Sequence, residues 1–124
     1  MFVHTVLFHL KKNLSARDLE AFEAGLESLK SIEASRGTYI GKPAEIQERP
    51  AVRRDYSYNL TLLFDDIEGH NTYQMHPLHK AFVSKFSEFW SRLEIIDADW
   101  LPFNLKPCSI RSLPTLKPPL RLNI

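Results

Sequence analysis

Residues 73–83 read Tyr-Gln-Met-His-Pro-Leu-His-Lys-Ala-Phe-Val, and three of the five histidines of the chain lie between positions 70 and 79. Pro77 disfavours helix at His76 and suits the first position of a new helix. His79 then falls in the first turn of that helix, where unpaired backbone N–H groups and the macrodipole create positive potential. Such potential lowers an imidazole pKa and favours the neutral ring, the form a general base requires. Tyr73, six residues earlier, brings a hydroxyl to the end of the preceding segment, across the same corner. A neutral imidazole with a hydroxyl across the corner is a pair that acid–base chemistry could use. The plainer alternative is a helix-breaking turn with solvated histidines. His76 and His79 supply two metal ligands at most, and Asp65, Asp66 and Glu68 lie on another turn, so no metal site is expected.

The elements that must position these residues follow from hydrophobic period. Positions 2–10 are apolar almost throughout, which predicts a strand buried on both faces. His4, Val6, Phe8 and Leu10 share one face; Val3, Thr5, Leu7 and His9 share the other. Ser15 is a favourable N-cap with Asp18 three residues on, and Leu19, Phe22, Leu26, Leu29 and Ile32 repeat at helical spacing. That helix is predicted to run to about Ser35, ahead of Gly37. A weaker strand is expected over 38–47, interrupted by Gly41 and Pro43, and 48–55 reads as a charged loop. Alternation over 56–64 gives the clearest strand, with Tyr58, Leu60, Leu62 and Phe64 on one face. Helix is predicted from about Ile67, broken at His76-Pro77 and resumed through Phe82, Phe86, Phe89 and Trp90; a last strand covers 93–100. The order β-α-β-β-α-β is the split βαβ pattern of a ferredoxin-like α+β fold.

Such a sheet carries helices on one face only. The other face of the first strand is too apolar for water, which predicts a homodimer whose two sheets face each other. His9, on that side, reads as an interface residue.

With these elements in place, the chain resembles the stress-responsive α/β barrel (Dabb) family. The match rests on the opening Val-His-Thr-Val-Leu-Phe, the Tyr-x-x-His-Pro-x-His-x-x-Phe run from Tyr73 to Phe82, and the Phe89-Trp90 pair before the last strand. It covers roughly residues 1–100 and implies a dimeric α+β barrel. The family includes a plant polyketide cyclase that closes a linear poly-β-ketone by aldol condensation, without metal or cofactor. The acting tyrosine and histidine of that enzyme fall here on Tyr73 and His79. Its pocket histidine on the first strand corresponds to His4, whereas a further histidine on the third strand is Tyr58 in this chain. The resemblance therefore implies a small apolar or polyketide-like ligand. Its expected pocket is lined by His4, Val6 and Phe8, by Tyr58, Leu60 and Leu62, and by His76 and Phe82 from the helices. Two other functions fit the same residues, a non-catalytic ligand-binding protein and a structural, stress-protective homodimer.

Composition bounds the remainder. At 124 residues with 44% hydrophobic and 25% charged side chains, one globular domain is expected. Of the 16 Lys and Arg residues, four lie beyond Leu101, where no acid occurs, leaving 12 bases against 15 acids before it. Five of the eight prolines fall in the same stretch. Residues 101–124 thus read as a basic, Pro-rich tail on a 1–100 domain, neither long helix nor central strand. The tail's Leu and Ile content favours docking on the body or on a second subunit. Arg49, Arg53 and Arg54 sit on a solvated loop, and an acidic body without an aromatic-basic platform argues against nucleic acid. No segment approaches the ~20 apolar residues of a membrane span. The single Cys108 and the absence of a signal-like start suggest the cytoplasm.

Overall fold

A computed structural model describes residues 1–101; the expectations for the tail lie outside the described residues. Strand β1 (Phe2–Leu10) leads into helix α1 (Ala16–Ser28), and strands β2 (Gly37–Gly41) and β3 (Tyr58–Phe64) follow. Helices α2 (Ile67–Met75) and α3 (Pro77–Phe86) then precede strand β4 (Trp90–Asp99). The sheet order is β2-β3-β1-β4, antiparallel at every neighbour. The chain therefore has the ferredoxin-like α+β fold its element order predicts.

Local chemistry sets the boundaries. Ser15 and Asp18 form a reciprocal capping box at the start of α1, each side chain taking the other residue's backbone N–H at 3.0 Å. The helix stops earlier than Ser35, because the chain turns onto the edge of β3. A 3₁₀ turn covers Leu29–Ser31, Ile32 is extended, and the Arg36 N–H donates to the Leu63 carbonyl at 2.7 Å. Strand β2 is shorter than the predicted 38–47, ending two residues before Pro43, which has no N–H for a ladder. The Phe89-Trp90 pair is not helical. A 3₁₀ turn spans Ser87–Phe89, and Trp90 opens β4 opposite Leu10, where the register shifts. The helix break falls where Pro77 requires it, with His76 in extended conformation between α2 and α3.

One face of the sheet and the helices enclose the core. Phe22 of α1 is fully buried, and its ring packs against those of Phe8, Tyr58, Phe82, Phe86 and Trp90 at centroid distances of 5.2–6.4 Å. From β1, His4, Val6 and Phe8 enter this layer, beside Leu60 and Leu62 of β3 and Asp97, Ile95 and Leu93 of β4. Strand β1 is not closed on both sides within one chain. On the opposite face Leu7 is buried, but Val3, Thr5 and His9 are only half-buried, and Tyr39 and Ile96 are 59% and 57% exposed. Part of that face is bridged by the 42–57 segment, whose Arg53 pairs with Glu94 on β4.

Candidate functional site

The site is built where α2 and α3 cross the buried face of β1. Tyr73, in the last turn of α2, is 1% exposed, and its ring meets that of His79 at 4.8 Å and 62°. The ring of His4 lies 6.4 Å from Tyr73 on the other side. A cavity of about 200 Å³ opens beside these three residues. Val6, Phe8, Leu60, Phe82 and Trp90 supply its apolar walls, with Leu29, Val83, Leu93, Ile95 and the polar Gln74 around them. An aromatic corner on two helices thus faces an apolar strand surface, with three groups able to donate or accept protons.

Burial dominates the electrostatics. It lowers the pKa of His79, an effect deepened by charge interaction with His4 and His70 and opposed by a hydrogen bond to the Gln74 backbone carbonyl. His79 sits in the first turn of α3 as expected, and desolvation by burial is the largest cause of its lowered pKa, which favours the neutral ring. His4 is also lowered, first by burial, against the pull of Asp97, whose carboxylate accepts from His4 Nδ1 at 2.5 Å. Burial alone raises the Tyr73 phenol, keeping it protonated and able to donate. The arrangement therefore sets a neutral imidazole next to a neutral phenol at the wall of an apolar chamber.

Three expected pocket residues lie elsewhere. Tyr58 points under α1, where its hydroxyl donates to Glu23, holding that carboxyl below the usual range while burial raises the phenol. Leu62 is fully enclosed in the core and does not reach the cavity. His76 caps α3: its Nδ1 accepts the Leu78 N–H at 3.0 Å, outside the cavity lining. Sequence reasoning also missed His70. It lies three residues before Tyr73 on α2, a spacing that puts both on one helix face, and its ring packs on His4 at 4.7 Å and Phe2 at 5.0 Å. The contribution of β4 was missed as well, because Leu93, Ile95 and Asp97 reach this layer only through their pairing with Phe8, Val6 and His4.

A four-stranded antiparallel sheet in the order β2-β3-β1-β4, covered by helices on one face, defines a ferredoxin-like α+β protein. The chain belongs to the stress responsive A/B barrel domain (Dabb) family, whose model matches residues 2–100. Among solved structures it is similar to a Dabb family protein with a ferredoxin-like fold from Mesorhizobium loti, at 24% identity and TM-score 0.66, covering 81% of this chain and 96% of that one. It is also similar to a dimeric ferredoxin-like protein of unknown function from Thermobifida fusca, at 18% identity and TM-score 0.66, covering 80% and 90%. A third is the hydroxynitrile lyase of Passiflora edulis, at 15% identity and TM-score 0.65, covering 82% and 94%. These similarities establish the fold. No curated protein matches the sequence. No helix among the described residues is long and apolar enough to cross a membrane.

Proposed function

We propose that this protein is a homodimer whose cavity binds a small apolar, ring-bearing carbonyl compound and moves a proton on it without a cofactor. His79 is the general base, and Tyr73 donates to the enolate oxygen as it forms. His4 is a second polar contact for the ligand. The observation that carries this reading is the meeting of Tyr73 and His79, both neutral through burial, at the wall of an apolar cavity. The chemistry is of the kind performed by olivetolic acid cyclase, the plant polyketide cyclase that the Tyr-x-x-His-Pro-x-His segment resembles. The similar fold of a hydroxynitrile lyase adds a second enzyme on this scaffold. The volume narrows the substrate: about 200 Å³ exceeds the ~150 Å³ of a benzene-binding cavity but falls below the ~300 Å³ at which drug-sized pockets begin. A single ring fits, whereas an extended poly-β-ketone fits only in part.

Dimerisation uses the open sheet face bearing Thr5, Tyr39 and Ile96; dimeric relatives of this fold support it. The setting is the cytoplasm, in keeping with a single cysteine.

The test is solvent-deuterium exchange at the α-carbon of a single-ring β-diketone, followed by NMR. The wild-type protein is expected to exceed buffer, and His79→Ala to lose roughly 10²–10⁴-fold. Tyr73→Phe is expected to lose rate while keeping its unfolding midpoint. Exchange at the buffer rate across a panel of enolisable one-ring ketones refutes the catalytic reading and leaves ligand binding or a structural, stress-protective dimer.

A further inference from the structure

Beside the cavity, three metal-ligating side chains from distant parts of the sequence converge. His4 of β1, His70 of α2 and Asp97 of β4 each bring one ligand atom to within 4.8 Å of the other two. The acid–base reading gives no task to His70 or Asp97.

Packing holds the cluster in place. His4 is 4% exposed, and the His70 ring is wedged against His4, Phe2 and Phe64 at centroid distances of 4.7, 5.0 and 5.7 Å. Among the described residues, the ring nitrogens of His70 have only long contacts, 3.3 Å to Asn71 and 3.4 Å to Gln74, both on its own helix. Those distances lie beyond the usual range of N–H···O bonds. Asp97 engages His4 through one carboxylate oxygen. The cluster therefore has more donor capacity than its own hydrogen bonds consume.

We propose that His4, His70 and Asp97 form a binding site for a divalent transition ion of the zinc class. Two imidazoles and one carboxylate suit zinc, cobalt or nickel, whereas magnesium and calcium take mainly oxygen ligands. Three protein ligands leave a fourth position for water or a small ligand. The 2.5 Å separation of His4 Nδ1 and Asp97 Oδ1 is shorter than two ligands on one ion allow. Ligands about 2.0–2.1 Å from a tetrahedral ion lie roughly 3.3 Å apart, so Asp97 must swing away from His4 by less than about 1 Å, and any pair at the 4.8 Å outer limit of the cluster must close by up to about 1.5 Å through side-chain rotation. Its side chain is 41% exposed on an edge strand and has room to do so. The ion takes the place of the His4–Asp97 hydrogen bond and ties α2, β1 and β4 together at one point.

The experiment is equilibrium dialysis of the chelator-stripped full-length protein against zinc, with cobalt absorption spectra as a second readout. Neither depends on turnover, so this proposal and the catalytic one fail separately. Wild type is expected to bind one zinc per chain at micromolar free metal and to show cobalt d–d bands. His70→Asn and Asp97→Asn, checked for unchanged circular dichroism, are expected to bind at least about tenfold more weakly and to lose the bands. His76→Asn, which removes a histidine outside the cluster, is expected to leave both readouts unchanged. No saturable binding at micromolar zinc, or equal binding in wild type and both cluster variants, overturns the proposal.

Discussion

Two buried histidines with lowered pKa values make the stability of this protein depend on pH in a direction that can be worked out. An unfolded histidine titrates near 6.5, whereas folded His4 and His79 titrate below it. Between the unfolded and folded values the unfolded chain holds more protons, so stability falls as pH falls. It is fully present above about 6.5 and is lost progressively until the folded rings also protonate. Each histidine contributes a slope of up to about 1.36 kcal/mol per pH unit, and the two together up to about 2.7. The carboxyls held low, such as Asp65 and Glu94, lose their contribution in the same direction but at lower pH, below the usual carboxylate range, and leave a window above pH 5 clear. Urea unfolding across pH 5.0–8.0 reads the effect directly. With a urea m value of about 1–3 kcal/mol/M, the wild-type midpoint is expected to fall measurably as pH drops below about 6.5, by at most roughly 1–2 M per pH unit at the limiting slope. His79→Gln is expected to make the slope shallower, with no change in the plateau above pH 7 beyond a constant offset. A midpoint that is flat from pH 7 to 5.5, or one that rises on acidification, refutes the assignment of His4 and His79 as neutral buried groups.

Val6→Phe is expected to fill part of the cavity, reduce affinity for a one-ring ketone in a calorimetric titration, and cost about 1–3 kcal/mol through overpacking. Ile96→Glu is expected to weaken association in sedimentation while leaving the chain folded, since Ile96 is 57% exposed in the single chain; a variant as dimeric as wild type counts against the open-face interface. Leu7 is a poorer probe of that interface, because it is 8% exposed before any partner is added. Phe22→Ala is expected to cost about 3–5 kcal/mol in denaturant unfolding, as the ring at the centre of the aromatic core is lost.

Element order and the Tyr73–His79 corner were legible in the sequence because they depend on short-range rules. The α2/α3 break follows from Pro77, the start of α1 from Ser15 and Asp18, and the buried face of β3 from simple alternation. What the sequence hid depends on register and helix placement. Tyr58 shares a strand face with Leu60, yet it lies nearer one end of the sheet, where Glu23 of α1 takes its hydroxyl. Leu62 is on that face too, but it is sealed under core side chains away from the cavity. Asp97 sits opposite His4 only once β4 is paired in its observed register, 93 residues away along the chain. No local pattern encodes that partnership, so the His4–His70–Asp97 cluster was invisible before folding. The early end of α1 was hidden for the same reason, since backbone pairing with β3 overrides a hydrophobic period that continues to Ile32.

The central claim is that the imidazole of His79 itself takes the proton, and chemical rescue tests it most directly. In His79→Ala the removed ring leaves space at the cavity wall that free imidazole in solution can enter. The α-proton exchange on a one-ring β-diketone, lost in this variant, is expected to return in a saturable manner as imidazole is added. Tyr73→Phe, which retains its base, should show no such response. Exchange in His79→Ala equal to wild type, or a loss that imidazole restores no better than it accelerates the reaction in buffer, would contradict a general-base role for His79.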